Sequence, residues 1–397
     1  MNARSDADER YVFLDGLRGL AALAVVCHHL LDGTVLGPVL GKAFPGPFVF
    51  FCHYGARGVQ VFFVISGFVI AHALRRVEPT VGAAGNFILR RQLRLDPPYW
   101  TALAVALFGT ALESRVPGLA PRHLPGVGQV LLNMSYLQNV VGIPQMLGMA
   151  WTLCIEVQFY LVFIFLVTLC RAVTSKAVSS LLVSLVGGLG LLSLVERTGD
   201  VAAPPWLLPF WFYFAAGIFC YWHLRGQLGA VEFWAFTGAL AVVAWRDPDG
   251  RAAVGLATVL SFYAVGNARR LTVWLGGTGF SYLGRISYSL YLIHLPVLLV
   301  VMRAGYKLTG ENRPAAVCWF VLALLASVAA AHLLWRYVEM PSARLARRMK
   351  FRPRAPGLPS GAPVPTPPVA VAAEKTRRPV PAQFQEPPAM VTGGAST

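Results

Sequence analysis

Phe13-Leu14-Asp15-Gly16-Leu17-Arg18-Gly19-Leu20-Ala21-Ala22-Leu23-Ala24-Val25-Val26-Cys27-His28-His29 is apolar enough for a membrane helix and yet carries Arg18 and His29. Eleven steps of 100° separate the two, which brings them within about 20° of three full turns and sets them roughly 16 Å apart on one helix face. Asp15 extends the same stripe, whereas His28 points about 80° away from it. An ionisable side chain in lipid costs several kcal/mol unless it faces the bundle interior or water, so such a stripe marks a functional site. Near neutral pH an imidazole can take a proton from an attacking hydroxyl, which makes His29 the candidate base; the alternative is a histidine snorkelling at the membrane interface.

The rest of the chain supports a membrane setting. Of its 397 residues 56% are hydrophobic and 13% charged, far from a soluble balance. Apolar stretches near 12–31, 55–75, 96–113, 150–171, 178–195, 206–224, 230–246, 252–267, 286–302 and 316–338 predict an all-α, polytopic integral membrane bundle of about ten transmembrane helices. The first is read as an uncleaved anchor, because Arg18 interrupts it and no small-x-small cleavage site precedes His28. The net charge of +16 does not point to nucleic acid, because its distribution follows loop parity. With both termini cytoplasmic, inside segments hold nineteen Lys and Arg and outside loops ten, the bias that orients membrane proteins. The C-terminal basic cluster suits anionic lipid headgroups. The expected location is the inner or plasma membrane.

Three segments are expected: a cytoplasmic N-terminus at 1–11, the membrane domain at 12–349, and a cytoplasmic tail at 350–397. From Phe351 onward the tail holds 11 of the 28 prolines, a composition expected to be disordered. The connection at about 114–149 is apolar from Val127 to Val140 and is read as a candidate lid over an outer cavity. Six cysteines without a CxxC pair read as small buried residues, and no metal-ligand set or nucleotide loop appears.

Further polar positions follow the first span. Ser66-Gly67 lies among bulky residues of the second span, either for close helix packing or with Ser66 lining a cavity. Arg91 and Arg94, just before Pro97-Pro98, are spaced to clamp the phosphates of a donor such as coenzyme A, or serve only as orienting charge at the entrance of the third span. Glu156, with Thr152 and Tyr160 four residues to either side, can orient the base, bind acceptor hydroxyls, pair with Arg18 or form a structural ion pair. Ser287, Tyr291 and His294 share a face and either donate to a carbonyl or thioester oxygen or close an interhelical network. Arg336, Glu339, Pro341 and Arg344 look structural or lipid-facing.

These segments, in this order, resemble the acyltransferase 3 family of membrane O-acyltransferases over about residues 10–345. The resemblance rests on Leu14-Asp15-Gly16-Leu17-Arg18 with His29, Phe62-Phe63-Val64-Ile65-Ser66-Gly67-Phe68, Arg91-x-x-Arg94 with Pro97, Trp151-Thr152-Leu153 with Glu156, Ser287-Tyr288-Ser289-Leu290-Tyr291-Leu292-Ile293-His294-x-Pro296, and Glu339-x-Pro341. It implies a ten-helix fold, acyl-CoA (acetyl-CoA by default) as donor co-substrate without a metal, catalytic roles for Arg18 and His29, and Arg91 and Arg94 near the donor. The implied acceptor is a carbohydrate or other hydroxyl-bearing molecule of the bacterial cell envelope. Gln60 stands where members often carry an acidic residue, and Asp96 where an apolar or aromatic one is commoner. Some members add an SGNH-type domain after the membrane part; here a proline-rich tail follows, so either one chain completes the transfer or a separate extracytoplasmic partner does. A glycan or metabolite transporter or flippase is the alternative reading, though paired halves and broken helices are not evident.

Overall fold

The computed structural model describes residues 10–75, 80–113, 124–173, 178–196 and 206–348. The chain divides into two units, 1–351 and 352–397, and the second, with the expected disordered tail, lies outside the described residues. In chain order the helices are α1 (Val12–Asp32), α2 (Gly37–Ala43), α3 (Gly46–Tyr54), α4 (Gly58–Leu74), α5 (Val81–Glu113), α6 (Val127–Met134), α7 (Gln138–Val141) and α8 (Trp151–Val173). They continue as α9 (Ser180–Glu196), α10 (Trp211–Leu224), α11 (Ala230–Arg246), α12 (Arg251–Asn267), α13 (Thr278–Thr309), α14 (Arg313–Leu334) and α15 (Met340–Arg348). No strand occurs among the described residues.

A helix occupies each of the ten apolar stretches. Five helical segments are long and apolar enough to cross a membrane: Val12–Asp32, Gly46–Leu74, Trp151–Val173, Thr278–Thr309 and Arg313–Arg348. The remaining apolar helices, α9 to α12, run 14 to 17 residues.

Glycine sets how closely these helices approach, as expected where lipid removes most of the hydrophobic drive and packing must hold helices together. A Cβ on Gly284 of α13 would lie 2.4 Å from the Asp15 carbonyl oxygen of α1. Between α4 and α10 the contact is reciprocal: a Cβ on Gly67 would meet the Phe214 oxygen at 2.1 Å, and one on Gly217 the Val64 oxygen at 2.0 Å. Aromatic side chains fill the adjoining space, with Phe214 stacked on Phe159 at 4.0 Å and beside Phe63 at 4.8 Å between ring centroids. Two apolar cores result. One surrounds α4, α8, α10 and α12, the other α1, α13 and α14.

Helix α5 departs from expectation. Instead of a span beginning near residue 96, one helix of 33 residues runs straight through Pro97 and Pro98. Pro98 lacks the N–H that would bond the Arg94 carbonyl; that oxygen accepts from the Ser342 hydroxyl of α15 at 3.4 Å, while the Tyr288 hydroxyl of α13 donates to the Leu95 carbonyl at 2.9 Å. Arg90 to Arg94 therefore sit in mid-helix, ahead of the two prolines.

The candidate lid also finds a different place. Its helices α6 and α7 lie against the middle of α5, where Tyr99 donates to the Asn133 carbonyl at 2.8 Å and Tyr136 to Asp96 Oδ1 at 2.9 Å. Tyr136 holds a left-handed φ of 61° and stacks on Tyr99 at 4.7 Å between ring centroids. Asp96 thus anchors this connection. At the other end of the bundle's last long helix, Trp335–Glu339 forms one π-helical turn between α14 and α15. All six cysteines are free thiols, five of them buried and Cys318 exposed.

Candidate active site

One cavity gathers most of the polar residues singled out in the sequence. It opens on the seam between the two cores and is lined by Arg18 of α1, Ser66 of α4, Arg91 and Arg94 of α5, Thr152 and Glu156 of α8, and Ser287, Tyr288 and Tyr291 of α13. Val59, Phe62, Phe63 and Leu153 supply apolar walls. Among the described residues of the 114–149 connection, none lines it.

Glu156 is the hub of one network. Its Oε1 accepts from the Ser66 hydroxyl at 2.5 Å and from the Tyr160 hydroxyl, and it lies 3.5 Å from Arg91 Nη2. Arg91 also donates to the Tyr160 hydroxyl, with its guanidinium carbon 3.8 Å from the ring centroid. Of the alternatives open for Glu156 in the sequence, its ion pair is with Arg91 and not with Arg18. Three helices, α4, α5 and α8, are tied together at this one carboxylate.

Arg94 belongs to a second group. Its side chain is exposed to the cavity, within electrostatic range of Arg18, Arg91 and Glu339. Glu339, read from sequence as structural or lipid-facing, is buried in the π turn and accepts from the Ser289 hydroxyl at 2.6 Å. Asp15, in contrast, turns away from the Arg18 stripe to pair with Arg10 at 2.7 Å. The cavity is thus a concave, basic surface in which the Glu156 carboxylate faces three guanidinium groups, a setting suited to multiply charged oxyanions.

His29 and His294 form a separate pair adjoining that cavity and are not part of its lining. His294 Nε2 lies 3.2 Å from His29 Nδ1, linking α13 to α1. The hydrogen bonds fix the tautomers. His29 Nδ1 lies 3.0 Å from the Val25 carbonyl oxygen, and His294 Nδ1 lies 3.0 Å from that of Leu290. A carbonyl only accepts, so both Nδ1 atoms carry protons. The His294 Nε2 lone pair then receives the His29 Nδ1–H as a second acceptor, which leaves the His29 Nε2 lone pair as the basic position. Tyr291 bridges pair and cavity: its ring lies 6.1 Å from that of His294 and 5.5 Å from that of Phe62, and its hydroxyl is 2.8 Å from Thr152 Oγ1. Ser287 bonds within its own helix, to the Gly284 carbonyl at 2.9 Å. Arg18 lines the cavity together with Ser287, Tyr288 and Tyr291 of α13, whereas His29 meets His294 of the same helix outside that lining.

Among the described residues no group of three or more His, Cys, Asp or Glu is arranged to hold a metal ion. Tyr160, Tyr288 and Glu339 were not candidate site residues in the sequence; the signals that could have named them were the i+4 spacing of Tyr160 from Glu156 and the places of Tyr288 and Glu339 in the motifs that carry the family resemblance.

The sequence profile of the Acyltransferase domain family matches residues 11–336. The chain belongs to this family. Among curated relatives, the exopolysaccharide production protein ExoZ of Rhizobium meliloti (strain 1021) is 31% identical over 303 residues, covering 71% of this chain and 89% of the relative. The peptidoglycan O-acetyltransferase OatA of Listeria monocytogenes (strain EGD-e) is 27% identical over 371 residues, covering 83% of this chain but only 55% of its own length. Nodulation protein 10 of Rhizobium leguminosarum bv. viciae is 25% identical over 376 residues, covering 83% of this chain and 93% of the relative. No solved structure matches the chain. An acyltransferase domain with apolar helices long enough to cross a membrane is thus on firm ground.

Proposed function

We propose that this protein is a multi-pass membrane O-acyltransferase that moves an acyl group, acetyl by default, from acyl-CoA to a hydroxyl of a cell-envelope glycan, with His29 as base. The observation that carries this reading is the His29–His294 pair, whose hydrogen bonds leave the His29 Nε2 lone pair available beside an arginine-lined cavity. Glycan-directed relatives support the acceptor class. In this reading both termini face the cytoplasm of the inner or plasma membrane, and α1 carries His29 toward the outer side.

The donor enters from the cytoplasm with its phosphates on Arg91 and Arg94, and its thioester reaches along the cavity past Tyr291 toward His29. The acceptor oxygen attacks the thioester carbonyl carbon as His29 Nε2 takes the hydroxyl proton. The C–S bond then breaks, and the thiolate leaves with that proton as free CoA–SH. Arg18 stabilises charge developing on the carbonyl oxygen, and Glu156 holds Arg91 and Ser66 in place. Acylation of His29 itself, followed by transfer, uses the same lone pair. A separate extracytoplasmic partner would act only after this step.

The test compares base-labile acyl esters on envelope glycans and secreted metabolites, by mass spectrometry, between cells carrying the native protein and an equally abundant His29→Ala variant. An ester present with the native chain and reduced at least a hundredfold in the variant is expected for loss of a general base. Equal ester in both would refute the assignment.

A further inference from the structure

The α1 helix does not end at His29. One turn further on, Asp32 joins two more imidazoles. His53 Nδ1 of α3 lies 2.7 Å from the Asp32 carboxylate, and His28 Nδ1 approaches Asp32 Oδ2 at 2.9 Å. The side chains of His53, Asp32 and His28 are 51%, 30% and 23% exposed, so the cluster is open and graded inward. Its inner end meets the base: the His28 and His29 rings are 5.1 Å apart at 68°.

Beside the cluster stands an aromatic face. Phe50 and Tyr54 of α3 stack at 4.2 Å between centroids and both are exposed, and the Arg57 guanidinium carbon lies 3.7 Å from the Tyr54 ring centroid. Backbone contact fixes this face relative to His29, because a Cβ on Gly55 would meet the Ala24 carbonyl oxygen of α1 at 2.1 Å. Neither the cluster nor the aromatic face lines the arginine cavity.

The chemistry of this second surface differs from that of the cavity. It offers a carboxylate acceptor, imidazole nitrogens that donate or accept, and a flat π face, the set that suits vicinal hydroxyls and the C–H face of a sugar ring. Resting on the acyl-transfer reading above, we propose that Asp32, His28, His53 and the Phe50–Tyr54 face form the acceptor subsite, which takes one sugar ring of a glycan so that a hydroxyl reaches His29. Donor and acceptor then approach the base from opposite directions along α1: Arg18 lies eleven residues before His29 and Asp32 three residues after it.

The test uses membranes of cells producing the full chain, with their own envelope glycan and acetyl-labelled acetyl-CoA. Two products are read together, labelled base-labile ester in the glycan fraction and free CoA. Because each ester formed releases one CoA, Asp32→Asn is expected to lower glycan ester and CoA release together at least tenfold, and Phe50→Ala, on the exposed face, at least threefold, with the KM for acetyl-CoA unchanged. Native ester formation in both variants, or a loss that shows only as a raised KM for acetyl-CoA, overturns the subsite. If Asp32→Asn fails to accumulate as folded protein, the exposed Phe50→Ala variant decides. A native chain that releases CoA but labels only lipid or small molecules overturns the glycan assignment while leaving acyl transfer standing; a native chain that releases no CoA and forms no ester refutes acyl transfer itself.

Discussion

Replacing Gly67 with Ala tests the packing that builds the cavity wall. The new Cβ would lie 2.1 Å from the Phe214 carbonyl oxygen, whereas ordinary contact begins at 3.4 Å, so α4 and α10 must separate by about 1.3 Å at that point. The obstacle is backbone, and no rotamer change relieves it. The separation also loosens Phe214 from Phe63 and Phe159 and shifts Ser66 away from Glu156. Overpacking costs about 1–3 kcal/mol, and this backbone clash belongs at the upper end. The better helix propensity of alanine offsets up to about 1 kcal/mol, which leaves a net loss of about 2 kcal/mol. For a chain of 397 residues that is a fall in Tm of about 2–3 °C, readable by thermal unfolding in detergent micelles. Gly188→Ala is the control. No atom lies within 4 Å of its added Cβ, so stability should hold or rise by up to about 1 kcal/mol. A Gly67→Ala protein as stable as the native one would refute the claim that backbone contact sets the spacing of α4 and α10.

His294→Phe keeps an aromatic ring but removes the second acceptor of the His29 Nδ1–H, leaving the Val25 carbonyl. One hydrogen bond of about 1–1.5 kcal/mol predicts a kcat about tenfold lower with KM little changed, measured as CoA release; an equal loss confined to KM would contradict it. Arg91→Lys keeps the charge but loses the planar contact over Tyr160 and the fork that reaches Glu156, so KM for acyl-CoA should rise about tenfold, and a KM within twofold of native would count against a donor role. Glu339→Gln removes the carboxylate between Ser289 and Arg94 and should lower unfolding stability by about 1 kcal/mol in micelles, with an unchanged Tm as the contrary result.

Much of this arrangement was legible in the order of residues. Helical phase put Arg18 and His29 on one face; Arg18 shares a cavity lining with residues of α13, and His29 pairs with His294 of that helix. Apolar runs marked where helices form, since α11 at Ala230–Arg246 and α12 at Arg251–Asn267 fall where hydropathy put them. Partner choice was not legible. Glu156 and Arg91 lie 65 positions apart, and local spacing says nothing of which guanidinium a carboxylate meets across three helices. The prolines misled for a physical reason: Pro97-Pro98 reads as a boundary, but the carbonyl that Pro98 frees finds a hydroxyl from α15, so α5 continues. Asp32 and His53 were missed as a pair because only the fold returns α3 to the end of α1.

The π turn at Trp335–Glu339 has a consequence for how related chains are compared. Such a turn holds one residue more than an α-helix of the same rise, so α14 and α15 are out of phase by a single position. A relative lacking that residue would keep both helices yet turn everything after them by about 100°. Glu339 would leave Ser289, and Ser342 would leave the Arg94 carbonyl that Pro98 deprives of a partner. Residue identity at these two sites is therefore meaningful only together with the length of the turn: a chain can conserve the glutamate and serine by letter and still lose both by register.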